Sequence, residues 1–230
     1  MRKRALNLFW LVAVVSFFPD VACCMPSMEL EERLSNSVQV LKEVMEAPDA
    51  GIPIDLLKRS RGIIVFPSLI KAGLGIGGHY GKGVVLRKDA ATGKWGPPAF
   101  IRLIGGSFGW QIGVQSTDLV LLIMSEVSLK SLFKDKITVG ADVSVAAGPV
   151  GRDASAATDV DLSAGILSYS RAKGLFAGVA VKGSVIEADW DANEAYYGSD
   201  LSVIDIFFKG KGKLSPAAAK LIRLLNRYGS

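Results

Sequence analysis

The odd positions from 73 to 83 are all glycine except His79, and Leu74, Ile76, Tyr80, Val84 and Leu86 follow on the even ones. Alternation with a period of two is the signature of a β-strand, because successive side chains point to opposite faces. One face of this strand is bare. Glycine in a strand interior costs stability and leaves nothing to pack, so it marks a place where another backbone or a ligand comes close. Glycine is abundant throughout, at 25 of 230 residues, without a collagen period. A fold built on tight backbone approaches is therefore expected.

The segments around this strand read as follows. Ser27 to Ala47 has Leu30, Leu34, Val38, Leu41 and Met45 at spacings of three and four, an amphipathic helix with Ser27 as its cap. Pro48, Asp49 and Gly51 end it, and Pro53 opens a short second helix that stops before Gly62. Ile63 to Phe66 is an apolar run closed by Pro67, read as a buried strand. Residues 89–98 form a turn. Strands are expected over 99–104, 111–124, 137–147, 160–169 and 175–186, with a short helix over 125–134. Gly105 to Gly109 reads as a glycine-rich hairpin turn. Residues 199–208 read as helical and Lys209 to Lys213 as flexible. Ser215 caps a last helix with Pro216 at its first position. The fold class is α+β, an antiparallel β-sheet or sandwich-like core flanked by N- and C-terminal helices. The expected division is a leader over 1–24, N-terminal helices over 25–60, a β-rich core over 61–208 and a basic segment with a helix over 209–230, the last part of the same domain.

The leader carries its own signals. Met1-Arg2-Lys3-Arg4 is positive, and residues 5–18 are apolar except for Asn7 and Ser16. A spanning helix needs about 20 apolar residues. This run is shorter and has the flanks of a secretory signal. Cys24 stands where an exported lipoprotein would be cut and acylated, with Val21 and Ala22 ahead of it. The alternative is that Cys23 and Cys24 are both removed with the signal. The expected location is outside the cytoplasm, in the periplasm or on the outer membrane, with a lipid anchor if Cys24 is acylated.

Several chemistries are poorly served. One histidine and two adjacent cysteines cannot make a zinc site of the Cys/His kind, and no metal or other cofactor is expected. Gly73 to Gly78 matches G-x-G-x-x-G, but a dinucleotide site needs a helix next, and the glycine strand continues instead. Gly105-Gly-Ser-Phe-Gly109 matches the nucleophile elbow G-x-S-x-G. That motif needs a following helix and a histidine downstream of Ser107, whereas His79 lies upstream. Asp118 interrupts an apolar strand and reads as a structural anchor. No catalytic residue is expected.

Charge is unevenly spread. The chain carries +5, of which Arg2, Lys3, Arg4 and Asp20 contribute +2, leaving +3 from residue 24 onward. No acid follows Asp205, whereas Lys209, Lys211, Lys213, Lys220, Arg223 and Arg227 do, so the last 25 residues hold +6. Lys220, Arg223 and Arg227 share one helical face. A basic tail on a mildly acidic body suits an anionic surface. Nucleic acid is not an expected partner, since aromatic and basic residues do not interleave.

Five stretches then occur in one order: RGIIVFPSLIKAGLGIGGHYGKGVV (61–85), SFGWQIGVQSTDLVLLIMS (107–125), AAGPVGR (146–152), LSYSRAKGLFAGVAVKGS (167–184) and NEAYYG (193–198). Together they resemble the SYLF lipid-binding domain family over residues 50–210. The resemblance implies a non-enzymatic domain that binds phospholipids, phosphoinositides in eukaryotic members, some of which touch actin beside an SH3 or FYVE domain. With its leader, this chain resembles the bacterial exported branch, for which anionic phospholipids or lipid A phosphates are the implied targets. The residues themselves offer Lys71, His79 and Lys82 around the glycine strand, Arg171 and Lys173 in the YSRAKG turn, and Lys209, Lys211, Lys213, Lys220, Arg223 and Arg227 in the tail as lipid-binding candidates. The alternative expectation is an envelope structural protein that holds a protein partner through its glycine-rich face.

Overall fold

The computed structural model describes residues 24–47, 51–132, 136–150, 164–172, 175–178, 183–199 and 201–229. Helices α1 (Cys24–Glu46) and α2 (Ile54–Arg59) precede two very long strands, β1 (Gly62–Arg87) and β2 (Ala99–Ile123). There follow α3 (Glu126–Ser131), β3 (Lys136–Thr138), β4 (Val145–Ala147), β5 (Ile166–Ala172), β6 (Leu175–Gly178), β7 (Ser184–Ala188), α4 (Trp190–Tyr197), α5 (Val203–Lys209) and α6 (Pro216–Gly229). The described strands form one seven-stranded sheet. It is antiparallel except for the pairing of β4 with β5. The α+β expectation, with helices at both ends, holds.

The β1–β2 ribbon dominates. It pairs from Gly62↔Ile123 to Val85↔Ala99, and β2 pairs in turn with β7 at one end and β5 at the other. The ribbon is bent back on itself. The Arg61 carbonyl accepts from the Lys88 amide at 2.9 Å, so the two ends of a 26-residue strand meet. Two layers of apolar side chains result. Ile63, Val65, Val84, Phe100, Val120, Leu122 and Tyr169 face the layer of α1, α2, α4 and α6. Ile64, Phe66, Leu69, Val85, Ile101, Leu121 and Ile186 face the space between the ribbon's arms, closed by Leu129 of α3 and Phe207 of α5. Strands buried on both faces read as unbroken apolar runs, which is why Ile63 to Phe66 and Leu119 to Ile123 lack alternation.

Three expectations change. Pro67 does not end a strand, because β1 passes through it at a bulge where the register shifts between Phe66 and Leu69. A bulge tolerates a residue without an N–H. Ser68 adopts φ 63° there, and its amide donates to Asp118 Oδ1 at 3.0 Å. Residues 105–109 are not a hairpin turn. They continue β2, opposite Gly75 to His79 in the ladder, so the glycines of both strands lie across from one another. Residues 137–147 are two strands rather than one, split where Gly140 takes φ 91° and Asp142 accepts the Thr138 amide at 2.7 Å.

Smaller differences are local. α1 begins at Cys24, ahead of Ser27, so Ser27 lies within it. The α1 stripe packs as read, with Leu30, Leu34, Val38 and Leu41 buried. The span 175–186 contains β6 and the start of β7, with Gly183 at φ 82° before the latter. α4 has no sequence-based counterpart. The stretch read as flexible closes α5 instead: Gly210 takes the left-handed conformation and the Lys211 amide donates to the Asp205 carbonyl at 3.2 Å. α6 forms as expected, with the Ala218 amide on Ser215 Oγ at 3.2 Å.

Candidate functional site

The eleven candidate cations separate into tied and untied groups. Arg171 on β5 donates to Asp118 of β2 through Nε and Nη2, and its Nη1 pairs with Glu43 of α1. These partners raise its pKa against the opposing effect of burial. Arg171 therefore joins α1 to the sheet and supports the carboxylate that holds the Ser68 bulge. The anchor expected at Asp118 stands, and Arg171, a lipid candidate from the sequence, holds a structural place in this network. Lys82 pairs with Glu29 at 2.8 Å, and Lys209 and Lys211 share Asp205 at 2.8 and 3.7 Å. Asp205 offsets one of its two lysines' charges, and Glu29 is shared between Lys82 and Arg33. Lys209 and Lys211, together with a bond from Ser202 Oγ, hold the Asp205 carboxyl far below the usual range. Lys173 lies outside the described residues, as do residues 1–23. Cys24 is the first residue of α1.

Lys213, Lys220, Arg223 and Arg227 remain. All four are exposed, and none forms an ion pair among the described residues. α6 buries Ala217, Ala218, Leu221 and Leu225 against the helix layer, which turns Lys220, Arg223 and Arg227 outward. The strong amphipathic split of this helix fixes that orientation.

Lys71 and His79 lie on the inner face of the bent ribbon. The His79 ring covers Gly105, its cross-strand partner, where any Cβ would overlap it. Nε2 of His79 and the Ser184 hydroxyl are 2.7 Å apart. Burial, then the nearby Lys71 charge, lowers the His79 pKa below its ordinary 6.5. The folded state resists a proton that the unfolded chain accepts. Stability is thus complete above the unfolded pKa and falls as pH drops below it. Urea midpoints at about pH 7.5 and 5.5 should show this loss, and His79→Gln should remove most of it. An unchanged pH dependence in the variant would show that other groups set it.

The glycine face is largely used by the chain itself. A Cβ on Gly83 would lie 2.5 Å from the Val65 carbonyl oxygen, and one on Gly81 would lie 2.7 Å from Leu69 Cδ1. The close approach read from the sequence is real, and the approaching segment is the other arm of β1. This takes the surface away from the proposed protein partner at those positions.

Two clefts lie beside α4. One, of about 250 Å³, is lined by Glu29, Arg33, Lys82, Arg102 and Asp189, and its cations are paired to carboxylates. The other, of about 410 Å³, lies beneath Trp190. No group of metal-ligating side chains occurs among the described residues. Ser107 stands within continuous β-ladder, so the turn of a nucleophile elbow is missing there. Among the described residues no helix is long and apolar enough to cross a membrane.

Sequence reasoning missed two features. Arg33, 6% exposed, sits within an apolar helix pattern and bonds Asp189 156 residues away. Ile70, Tyr80, Ile104 and Val114 are exposed, although their alternation reads like that of buried strand residues. The register of the folded ribbon, which the sequence does not show, aligns these apolar positions on one face.

Comparison with known proteins places this architecture. A family model described as Ysc84, Las17-binding protein actin regulator, matches residues 104–228. Protein YSC84 of Saccharomyces cerevisiae is 38% identical over 180 residues, covering 77% of this chain and 38% of the yeast protein. LAS seventeen-binding protein 3 of the same species is 36% identical over the same length. The SH3 domain-containing YSC84-like protein 1 of Rattus norvegicus is 30% identical over 205 residues, covering 86% of this chain and 59% of the rat protein. The chain thus spans between 38 and 59% of the length of these relatives. By the extent of the family match and by the quoted motifs that form the bent ribbon and its neighbours, the chain belongs to the Ysc84, or SYLF, family.

Proposed function

We propose that this chain is an exported, non-enzymatic domain that adheres to anionic phospholipid surfaces. The observation that carries the reading is the outer face of α6, where Lys220, Arg223 and Arg227 project together without an ion pair among the described residues. Lys213 precedes the helix. Each such cation near an anionic bilayer contributes about 1 kcal/mol, within a Debye length of the surface. Acylation at Cys24 would add a second anchor of the kind that stable attachment requires.

Residues 25–230 hold every packed contact described above and no cysteine, so they test the reading without an acyl chain. They should co-sediment with vesicles containing phosphatidylglycerol and not with pure phosphatidylcholine. Replacing Lys213, Lys220, Arg223 and Arg227 by glutamine should weaken binding at least about tenfold. Equal sedimentation with neutral and anionic vesicles would overturn headgroup adhesion. The names of the yeast relatives favour a second reading, a protein partner. An apolar protein interface would persist as salt rises, whereas adhesion through α6 would weaken.

A further inference from the structure

The bend of the β1–β2 ribbon presents a second surface, distinct from α6. Beyond the Ser68 bulge the even residues of β1 face the helix side. At Val84 and Phe100 that face is covered by helices. One cross-strand pair nearer the bend it carries Lys82 and Arg102, which bond Glu29 of α1 and Glu187 of β7. From there to the bend nothing described covers it. Tyr80 and Ile104 form the next outward pair at 43% and 44% exposure, and on the other arm Ile70 and Val114 stand at 48% and 78%. Ala72, opposite Val114, is exposed too.

Charge identifies what would meet this face. Between Ile70 and Gly81, and between Leu103 and Thr117, there is no aspartate or glutamate; Lys71 and His79 are the only basic residues. Soluble surfaces seldom leave such a length of chain without a carboxylate. An anionic bilayer would meet neither repulsion nor a buried acid here. Tyr80 stands between the apolar outer residues and the Lys82–Arg102 pair, the place of an interfacial aromatic side chain. The ribbon's backbone groups pair with each other, but among the described residues neither strand has a neighbour on its far edge over the bend. Unpaired backbone groups are not tolerated in hydrocarbon, so penetration stops at interfacial depth.

We infer that this outward face at the ribbon's bend, formed by Ile70, Ala72, Tyr80, Ile104 and Val114, inserts into the interfacial layer of a phospholipid bilayer. The inference rests on the membrane reading above and names the part that enters the lipid. Adhesion through α6 is electrostatic and falls with salt, whereas insertion of this face is apolar and survives it.

The test uses residues 25–230 with a single environment-sensitive fluorophore on Val114→Cys, or on Lys94→Cys in the exposed turn as a control. Phosphatidylglycerol vesicles are the probe. A blue shift and quenching by brominated acyl chains at position 114, and neither at 94, is the expected result. The unlabelled double variant Ile104→Glu/Val114→Glu should lose about tenfold or more of its vesicle binding at about 0.5 M salt. Its thermal midpoint should match the parent's, and Ile70→Glu serves as a second variant. Vesicle binding by the parent with no change at position 114, and none in the variants, would overturn the inference and leave adhesion through α6 standing. No binding by the parent to any vesicle would overturn both. A parent dimer in light scattering that the glutamates dissociate, with vesicle binding unaltered, would overturn insertion in favour of a second copy of the chain.

Discussion

An alanine at position 83 should destabilise the fold by about 3 kcal/mol, lowering the thermal midpoint by about 10 °C, although it adds one methyl group to a β-strand. The added Cβ would lie 2.5 Å from the Val65 carbonyl oxygen and 2.9 Å from Phe66 Cε1. Neither neighbour can give way. Val65 belongs to the other arm of β1, paired with Val120, and Phe66 is fully buried between the arms. The methyl group must therefore push the arms apart and loosen the layer around Phe66. Alanine at Gly106 is the matched control. It lies on the same ribbon, and a Cβ there has nothing within 4 Å. Ordinarily alanine is favoured over glycine in a strand by about 0.5–1 kcal/mol, so Gly106→Ala should be neutral or stabilising. Differential scanning calorimetry of the two variants decides the matter. Equal midpoints would mean that the arms do not meet in solution as described.

That contrast marks what the sequence could tell. Glycine alternation announced a close backbone approach, and it could not say which segment approaches. The answer depends on a bend in a strand whose contacts are long-range. Helices with one clean apolar stripe, α1 and α6, were legible because 3.6-residue periodicity is local. α4 was missed because eight residues carrying Asp191 and Glu194 show little periodicity. Its place is fixed by Asn193, which bonds the Phe100 backbone at 2.9 and 2.8 Å. Pro67 looked like a terminator because its missing N–H breaks a ladder. The carboxylate that makes the bulge workable lies 50 residues later at Asp118. Among the candidate cations, type and number were visible and pairing was not. Arg171 and Lys82 meet carboxylates that only the fold brings near, whereas Lys209 meets Asp205 at a helical spacing of four, and the face of α6 could be read directly from spacings of three and four.

Arg33→Met should cost about 3 kcal/mol or more, which local sequence context gives no reason to expect. Arg33 faces the sheet from α1, with its guanidinium 5.3 Å from the Phe100 ring centre. It donates to Asp189 at 3.0 Å and to Glu29 at 3.2 Å. Glu29 is more than half exposed and can turn to water, but Asp189 is 7% exposed and cannot. Methionine keeps much of the apolar stem against Phe100, so the loss isolates the electrostatic part: a buried carboxylate without its cation. Removing both charges tests this account. In the double variant Arg33→Met/Asp189→Leu the uncompensated charge is gone, and an apolar pair can replace a buried ion pair at little net cost. The double variant should therefore be more stable than Arg33→Met alone, with a coupling of about 2 kcal/mol in a cycle of urea unfolding measurements. Additive losses would place the importance of Arg33 in its packing over Phe100. The distinction reaches the proposed membrane face, because the same helix holds Lys82 through Glu29 at the line where helix cover ends.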